Sequence, residues 1–319
     1  MRFAGGWAGL AAATLGACAP QLAAVDPATI RAHQSFLASE ALAGRGSATR
    51  DKAIAAAYVA SRFEQYGLRP APGMTSYLQT LSVPETKYTK KQGIPADART
   101  TNVIGFLPGT DPAAGVLLIS AHLDHLGVVK GKTYLGANDD ASGTTAVMEL
   151  ARLLAGTGPH RRGILFVAYG AEELGAVGSH YFATHPPVPL DSIVANIEFE
   201  MVGAADPKLP GGMMMTGFER SDLGEILRAR GAMVSPDPYP EERFFERSDN
   251  YELALAGVVA HTISGWPTTP VYHQVTDTNA NIDFDFMEQA IQSLAGPIRW
   301  LADSDVKPRW KPGGQPRAK

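Results

Sequence analysis

The feature that most constrains the fold is a series of short apolar runs that end in acidic residues or histidine. Each run has the composition of a buried strand. In sheets whose strands run parallel, side chains that follow the strands collect at one edge. The sequence therefore predicts that its polar segments converge at such an edge. There are five of them, in this order: His122-Leu-Asp124-His125, Asn138-Asp139-Asp140, Glu172-Glu173, Glu198-Phe-Glu200 and Tyr272-His273.

Helical and strand patterns alternate along the chain. Helical spacing of apolar residues predicts helices at 53–66, 144–154 and 283–301. This alternation predicts an α/β fold with a mixed, mainly parallel central sheet and helices on both faces. The first two strands are expected to pair with each other. The predicted strands lie at 102–107, 115–120, 163–169, 192–199 and 257–263.

Length and charge limit the class of protein. The chain has 319 residues, of which 45% are hydrophobic, so it can bury a substantial core in one large domain. Its net charge is -4 and it has no basic block, which excludes the usual features of a nucleic-acid-binding protein. Only the tail at 304–319 is locally basic. Its prolines and glycines predict a frayed terminus, and the alternative is an arm that binds a partner.

The first eighteen residues predict export from the cytoplasm. Arg2 precedes an apolar stretch at 8–13 that is too short to span a bilayer, and Leu15-Gly-Ala-Cys18 follows. This segment resembles a lipoprotein signal in which Cys18 is lipidated; the alternative is an ordinary signal peptide. Either predicts a periplasmic protein or one anchored to the outer membrane. Since Cys18 is the only cysteine, a disulfide within the chain and a thiolate metal site are both excluded.

The histidine and aspartate segments predict metal ligands. His122 comes just after an apolar strand, and Asp124 is placed to hold its imidazole. Asp139 and Asp140 are adjacent carboxylates that repel each other, and a bound cation would compensate that repulsion. One of them could bridge two ions. The alternative for Asp140 is to cap the helix that begins after it.

Two pairs of glutamates add carboxylates to the same edge. Glu172 and Glu173 follow a strand, so one could bind metal while the other takes a proton from water. The alternative is a pair of solvated glutamates at a helix start. Glu198 and Glu200 share one face of an apolar strand, where a carboxylate needs a partner or a metal.

A last histidine, His273, precedes Asp277, which offers a carboxylate to orient its ring. The other histidines lack such neighbours and are assigned to packing or to the surface. They are His33, His160, His180, His185 and His261.

Together these segments resemble the co-catalytic dizinc exopeptidase family, which includes bacterial leucyl aminopeptidases and, more distantly, glutamate carboxypeptidase, transferrin receptor and glutaminyl cyclase. The resemblance covers about residues 30 to 303 and implies a zinc peptidase domain at 27–303 with no inserted domain. The matching segments are Ser120 to His125, Gly136 to Gly143, Ala168 to Gly175, Glu200 to Gly203, Arg247 to Asn250 and Tyr272 to Thr278, with an upstream preamble around Gly44-Arg45.

The resemblance implies a site for two Zn²⁺ ions. Glu172 would be the general base and Asp124 would orient His122. The family usually has aspartate where this chain has Glu200, and Glu198 is the alternative ligand. The implied ligands are His122 and Glu200 for one ion, Glu173 and His273 for the other, and Asp139 as the bridge.

The function implied is an extracytoplasmic exopeptidase, expected to be an aminopeptidase that acts on peptides. A water that bridges both ions would attack the scissile carbonyl. Alternatives are a carboxypeptidase or glutaminyl-cyclase-like enzyme, or a binding homologue without activity. The substrate pocket is expected to involve residues 211–217 and 244–251, with the methionines at 213–215 as buried strand and not as substrate surface.

Overall fold

The computed structural model describes Met1 and residues 22–317. The predicted signal segment and the lipidation of Cys18 lie outside these residues. No helix between residues 22 and 317 has the length and apolar character needed to cross a membrane. Over the same range the helices are α1 Pro27–Leu37, α2 Arg50–Gln65, α3 Lys87–Lys91, α4 Gly143–Ala155, α5 Val177–Thr184, α6 Leu223–Arg228, α7 Asn250–Leu255 and α8 Phe284–Asp303.

One large sheet forms the centre of the molecule. The strands of the described chain are β1 Arg69–Pro70, β2 Leu78–Ser82, β3 Arg99–Leu107, β4 Val116–His122, β5 Gly127–Val129, β6 Lys132–Tyr134, β7 Gly163–Tyr169, β8 Ile193–Glu200, β9 Met213–Met215, β10 Val234–Pro236 and β11 Ala260–Ser264. The order in the large sheet is β1-β3-β7-β4-β8-β11-β9-β10, with β2 added beside β3. Its central strands β7, β4, β8 and β11 run parallel, and antiparallel pairs lie on either side. The predicted mixed α/β fold is confirmed.

The expected pairing of the first two predicted strands is wrong. Strand β7 lies between β3 and β4, antiparallel to the first and parallel to the second. The connection at 108–115 is longer than a tight hairpin turn. It therefore leaves room for the strand that returns after α4.

Both faces of the sheet are covered by helices, as predicted. Alternate residues of β4 point to opposite sides, so Leu117 and Ile119 join a core with α1, α2, α4 and α8, while Leu118 joins a second core with α5 and α7. Side-chain caps begin three of these helices, α1, α2 and α8. Asp283 accepts the Phe286 N–H at the start of α8.

The basic tail is ordered through Arg317, contrary to the predicted frayed end. Trp310 forms a backbone bridge with Ser221, and its indole N–H donates to the Gly257 carbonyl at 3.0 Å. The ring also packs against Phe245 and His261. The contacts of Trp310 therefore hold this segment in place despite its many prolines and glycines.

Candidate metal centre

Three parallel strands deliver polar residues to one edge of the sheet. His122 ends β4 and Glu200 ends β8, while Glu172 and Glu173 follow β7, the other neighbour of β4. Since these strands are adjacent and run in the same direction, their carboxyl ends meet. This is the convergence that the sequence predicts.

Asp139 lies in an irregular turn between β6 and α4, held by buried polar contacts. The Asp277 carboxylate accepts the N–H groups of Asn138 and Asp139, at 2.8 and 3.1 Å. Arg45, fully buried, donates to the carbonyl of Gly136 at 2.9 Å. Asp277 therefore fixes the aspartate turn, whereas the sequence assigned it to the ring of His273.

Asp140 ties the same turn to its surroundings. Its carboxylate accepts the N–H of Gly143 at 2.9 Å, at the start of α4, and the N–H of Met201 at 3.0 Å. This is the capping alternative considered for Asp140. It leaves Asp139 as the carboxylate that faces the site.

Two groups of potential metal ligands share Asp139. Within each group the ligand atoms all lie within 4.8 Å of one another. One Asp139 oxygen is 3.1 Å from His122 Nε2, and the other is 3.1 Å from His273 Nε2. The first group is His122, Asp139 and Glu200; the second group is His125, Asp139, Glu173 and His273.

The donor atoms in these groups fit divalent metal ions. Several are buried and have no hydrogen-bond partner among the described residues, namely His122 Nε2, His125 Nδ1 and Nε2, Asp139 Oδ2 and Glu173 Oε1. Ligands about 2.0 Å from a tetrahedral zinc lie about 3.3 Å apart, which is close to the separations found here. Imidazole and carboxylate are the ligands that zinc takes in proteins.

Glu172 lies outside both groups, half-buried, and the turn that carries it is held by Asp124. The Asp124 carboxylate accepts the N–H groups of Glu172 and Glu173 and the hydroxyl of Ser47. Burial raises the pKa of Glu172 well above its usual value, and the carboxylate of Glu173 adds to the shift. A carboxylate of this kind is a good acceptor of a proton from water.

The contact predicted between the Asp124 carboxylate and His122 takes a different form. The nearest carboxylate oxygen is 4.0 Å from His122 Nδ1, whereas the main-chain carbonyl of Asp124 is 3.1 Å from it. The carbonyl fixes the imidazole because the carboxylate is already engaged with the turn at Glu172.

Glu198, the alternative ligand, lies outside both groups. Its carboxylate contacts the hydroxyls of Ser248 and Thr262, each at 3.3 Å. Burial, with the nearby acid Asp249, raises the pKa of Glu198 well above its usual value. Glu198 is therefore held by two hydroxyls away from the ligand groups, and Glu200 supplies the carboxylate of the first group.

A narrow pocket of about 30 Å³ opens beside Glu200. Phe244 and Arg247 line it from the segment predicted to form part of the substrate pocket, and Tyr272, stacked on His273, also lines it. Met214 of β9 also lines this pocket. All three methionines are nevertheless buried in that strand, as predicted. A wider groove of about 490 Å³ runs from His125 and Glu173 on the other side.

Sequence reasoning missed the roles of two residues. His125 belongs to the second group, although the motif His-x-Asp-His at the end of β4 already contained it. Arg45 holds both ligand-bearing turns through the carbonyls of Leu123 and Gly136, and only the preamble that resembles the family pointed to it. The five histidines assigned to packing or to the surface all lie outside the two groups.

Comparisons with known proteins agree with this architecture. The chain is 32% identical to leupeptin-inactivating enzyme 1 of Streptomyces exfoliatus over 63% of its length and 41% of that protein. It is 30% identical to the probable lipoprotein aminopeptidase LpqL of Mycobacterium tuberculosis over 54% of its length and 40% of that protein. The chain thus spans about two fifths of the length of these relatives.

Solved structures show the same fold. The zinc aminopeptidase BSAP from Bacillus subtilis superimposes with a TM-score of 0.69 over 90% of this chain and 100% of that chain, at 16% identity. Residues 102–296 match the sequence profile of peptidase family M28. The resemblance expected from the five polar segments is confirmed: the chain belongs to peptidase family M28.

Proposed function

We propose that this protein is an extracytoplasmic, zinc-dependent aminopeptidase that removes residues from the amino terminus of peptides. One observation carries the proposal: the two oxygens of Asp139 face His122 and His273, one each, at 3.1 Å. A carboxylate so placed is suited to bridging two ions. Membership of family M28 and the aminopeptidase named among its relatives support the activity.

Glu172 is the residue proposed to move protons. Zinc ions, when bound by the two ligand groups, supply Lewis acidity that polarises a carbonyl and lowers the pKa of water. Glu172 belongs to neither ligand group, so its carboxylate would remain available to accept a proton from water. The carboxyl group then holds that proton and gives it to the leaving amine. Asp124 keeps Glu172 in place through the N–H at 3.1 Å.

The cavities on the two sides of the site fit an exopeptidase that removes one residue at a time. The narrow pocket beside Glu200 has room for one small side chain. The wider groove beside Glu173 leads to the surface and can take the rest of a peptide. We infer that the first residue of the substrate enters the pocket and that the leaving peptide lies in the groove.

Export is proposed from residues 1–18, with Cys18 as the site of a lipid tether. The similarity to a probable lipoprotein aminopeptidase supports this. Expression of the natural sequence beside a Cys18→Ser variant tests it. Wild type should partition with membranes, and the variant should be released. Equal release of both would favour an ordinary signal peptide.

Hydrolysis assays with matched substrates test the activity. Zinc-loaded protein should cleave alanyl anilides and peptides with a free amino terminus, and it should leave amino-acetylated peptides intact. The Glu172→Gln variant should bind zinc equally and lose about 10²- to 10⁴-fold in kcat, since it cannot accept a proton. Equal rates for wild type and variant would contradict the mechanism. Cleavage that instead requires a free carboxyl terminus would favour a carboxypeptidase.

A further inference from the structure

We propose that His125 is a protein ligand at the second group, so that the two metal ions are held unequally. The ion among His125, Asp139, Glu173 and His273 is enclosed by four protein ligands. The ion among His122, Asp139 and Glu200 has three and keeps an open position. This inference rests on the proposed function, because it divides the binding and catalytic roles of that function between the two sites.

The position of His125 carries the inference. Its side chain is fully buried, and Nδ1 lies 2.9 Å from Glu173 Oε1 and 3.6 Å from Asp139 Oδ2. Neither ring nitrogen has a hydrogen-bond partner among the described residues. A buried imidazole without hydrogen-bond partners is costly. A metal ion among these atoms would satisfy Nδ1 together with the two carboxylates.

The backbone around His125 is shaped to hold the ring there. His125 pairs with Gly46 in an isolated bridge, and its N–H donates to the Arg45 carbonyl at 3.3 Å. On the other side, a methyl group at Gly136 would collide with the His125 ring. Gly136 is therefore a position where the absence of a side chain makes room for the imidazole.

The two groups differ only in their histidines. Each contains two carboxylates, Asp139 with Glu173 in one case and Asp139 with Glu200 in the other. Their formal charges toward a cation are therefore equal. The second group has two imidazoles and the first has one. Four protein ligands complete the tetrahedral shell of zinc and are typical of structural sites, whereas catalytic sites keep a position free for water or substrate.

Zinc titration of the chelator-stripped full-length chain tests the proposal. Calorimetry on wild type should resolve a tighter and a weaker site. His125→Gln should weaken the tighter site by at least about 10- to 100-fold and leave the weaker one unchanged. Glutamine keeps an N–H that can donate to Glu173, so a role limited to hydrogen bonding would be preserved. His160→Gln, a buried histidine away from the centre, is the matched control and should bind zinc as wild type does.

X-ray absorption of the wild-type zinc protein gives a second readout that needs no variant. With His125 bound, three imidazoles are shared between two ions; without it, only two are. A count of two, or unchanged affinities in His125→Gln, would overturn the proposal while hydrolysis of alanyl anilides still supported the proposed function. Two unequal sites with three imidazoles but no hydrolysis of any peptide would support the ligand assignment and overturn the proposed function.

Discussion

Two buried histidines in this molecule have opposite surroundings. His261 lies in β11, where its Nδ1 is 2.7 Å from the Thr216 carbonyl and its Nε2 is 2.8 Å from the Ser221 hydroxyl. His125, just beyond β4, is equally buried, and neither of its ring nitrogens has a hydrogen-bond partner within the described chain. In the sheet interior, His261 therefore has a hydrogen-bond partner at each ring nitrogen. At the carboxyl edge of the sheet, several buried polar atoms have no hydrogen-bond partner in the described chain, and a bound ligand would supply one.

This difference is energetic as well as geometric. Buried polar groups without partners are uncommon in folded proteins, and those that persist need a functional reason. At this edge the unpaired atoms belong to residues with metal-binding side chains and point toward one another. These unpaired atoms therefore lower the free energy of unfolding of the metal-free protein, and a bound ion would raise it again. Around His261, the described residues form no such group of metal-binding side chains.

The largest expected effect is stabilisation of the folded protein by zinc bound at the carboxyl edge. A ligand that binds only the folded state at 100 times its Kd adds about 2.7 kcal/mol to the free energy of unfolding. Urea unfolding of chelated and zinc-loaded protein should show a gain of at least this size. Asp139→Asn, which weakens the shared ligand of both groups, should lose most of the gain.

The control for that measurement comes from the interior. His261→Gln should gain as much from zinc as wild type does, because His261 contacts neither ligand group. An equal loss of zinc stabilisation in His261→Gln and Asp139→Asn would break the distinction between the two regions.

A smaller effect is expected when pH is lowered. Burial lowers the pKa of His261 from 6.5 to about 4, so the folded protein keeps this ring neutral while the unfolded chain protonates it. Its stabilising contribution is complete above pH 6.5 and is lost as pH falls from 6.5 toward 4. At pH 5 the loss is about 2 kcal/mol, at 1.36 kcal/mol for each pH unit.

Urea unfolding of chelated protein at pH 7.5 and pH 5 measures this. Wild type should lose more stability than His261→Gln by about 2 kcal/mol between these two conditions. Parallel losses in both proteins would show that the ring of His261 titrates normally and is not the protected interior group described above.

Many helices and strands were predictable because the spacing of apolar residues depends on which side chains are buried. Strand β7 and helix α4 were predicted within one residue of their ends, since each is an uninterrupted apolar or helical pattern. The order of strands was not predictable in full. Pairing of β3 with β7 depends on contacts between segments far apart in sequence, which no local pattern contains.

The residues that converge at this edge were predictable, but many of their contacts were not. Side chains of the types that can bind metal end the strands, as His122 and Glu200 do. Which atom of a residue makes a given contact depends on the groups that surround the residue in the folded protein. Asp124 is the example, because its carbonyl faces His122 while its carboxylate holds Glu172, and the sequence does not distinguish the two.

The smallest expected effect concerns the space left open beside the edge. Side chains in the interior pack against one another, but Phe244 and Met214 leave a narrow pocket next to Glu200. Phe244→Ala should widen it and shift the ratio of kcat/KM for leucyl over alanyl anilide upward by about tenfold, the scale on which a hydrophobic pocket discriminates side-chain size. Phe284→Ala, which removes a ring beneath Arg31 and away from the pocket, is the matched control and should leave the ratio unchanged. If the ratio did not move in Phe244→Ala, this pocket would not receive the first side chain of the substrate. The carboxyl edge of the sheet would then differ from the core only in its unpaired polar atoms, and the space beside Glu200 would have no role in substrate choice.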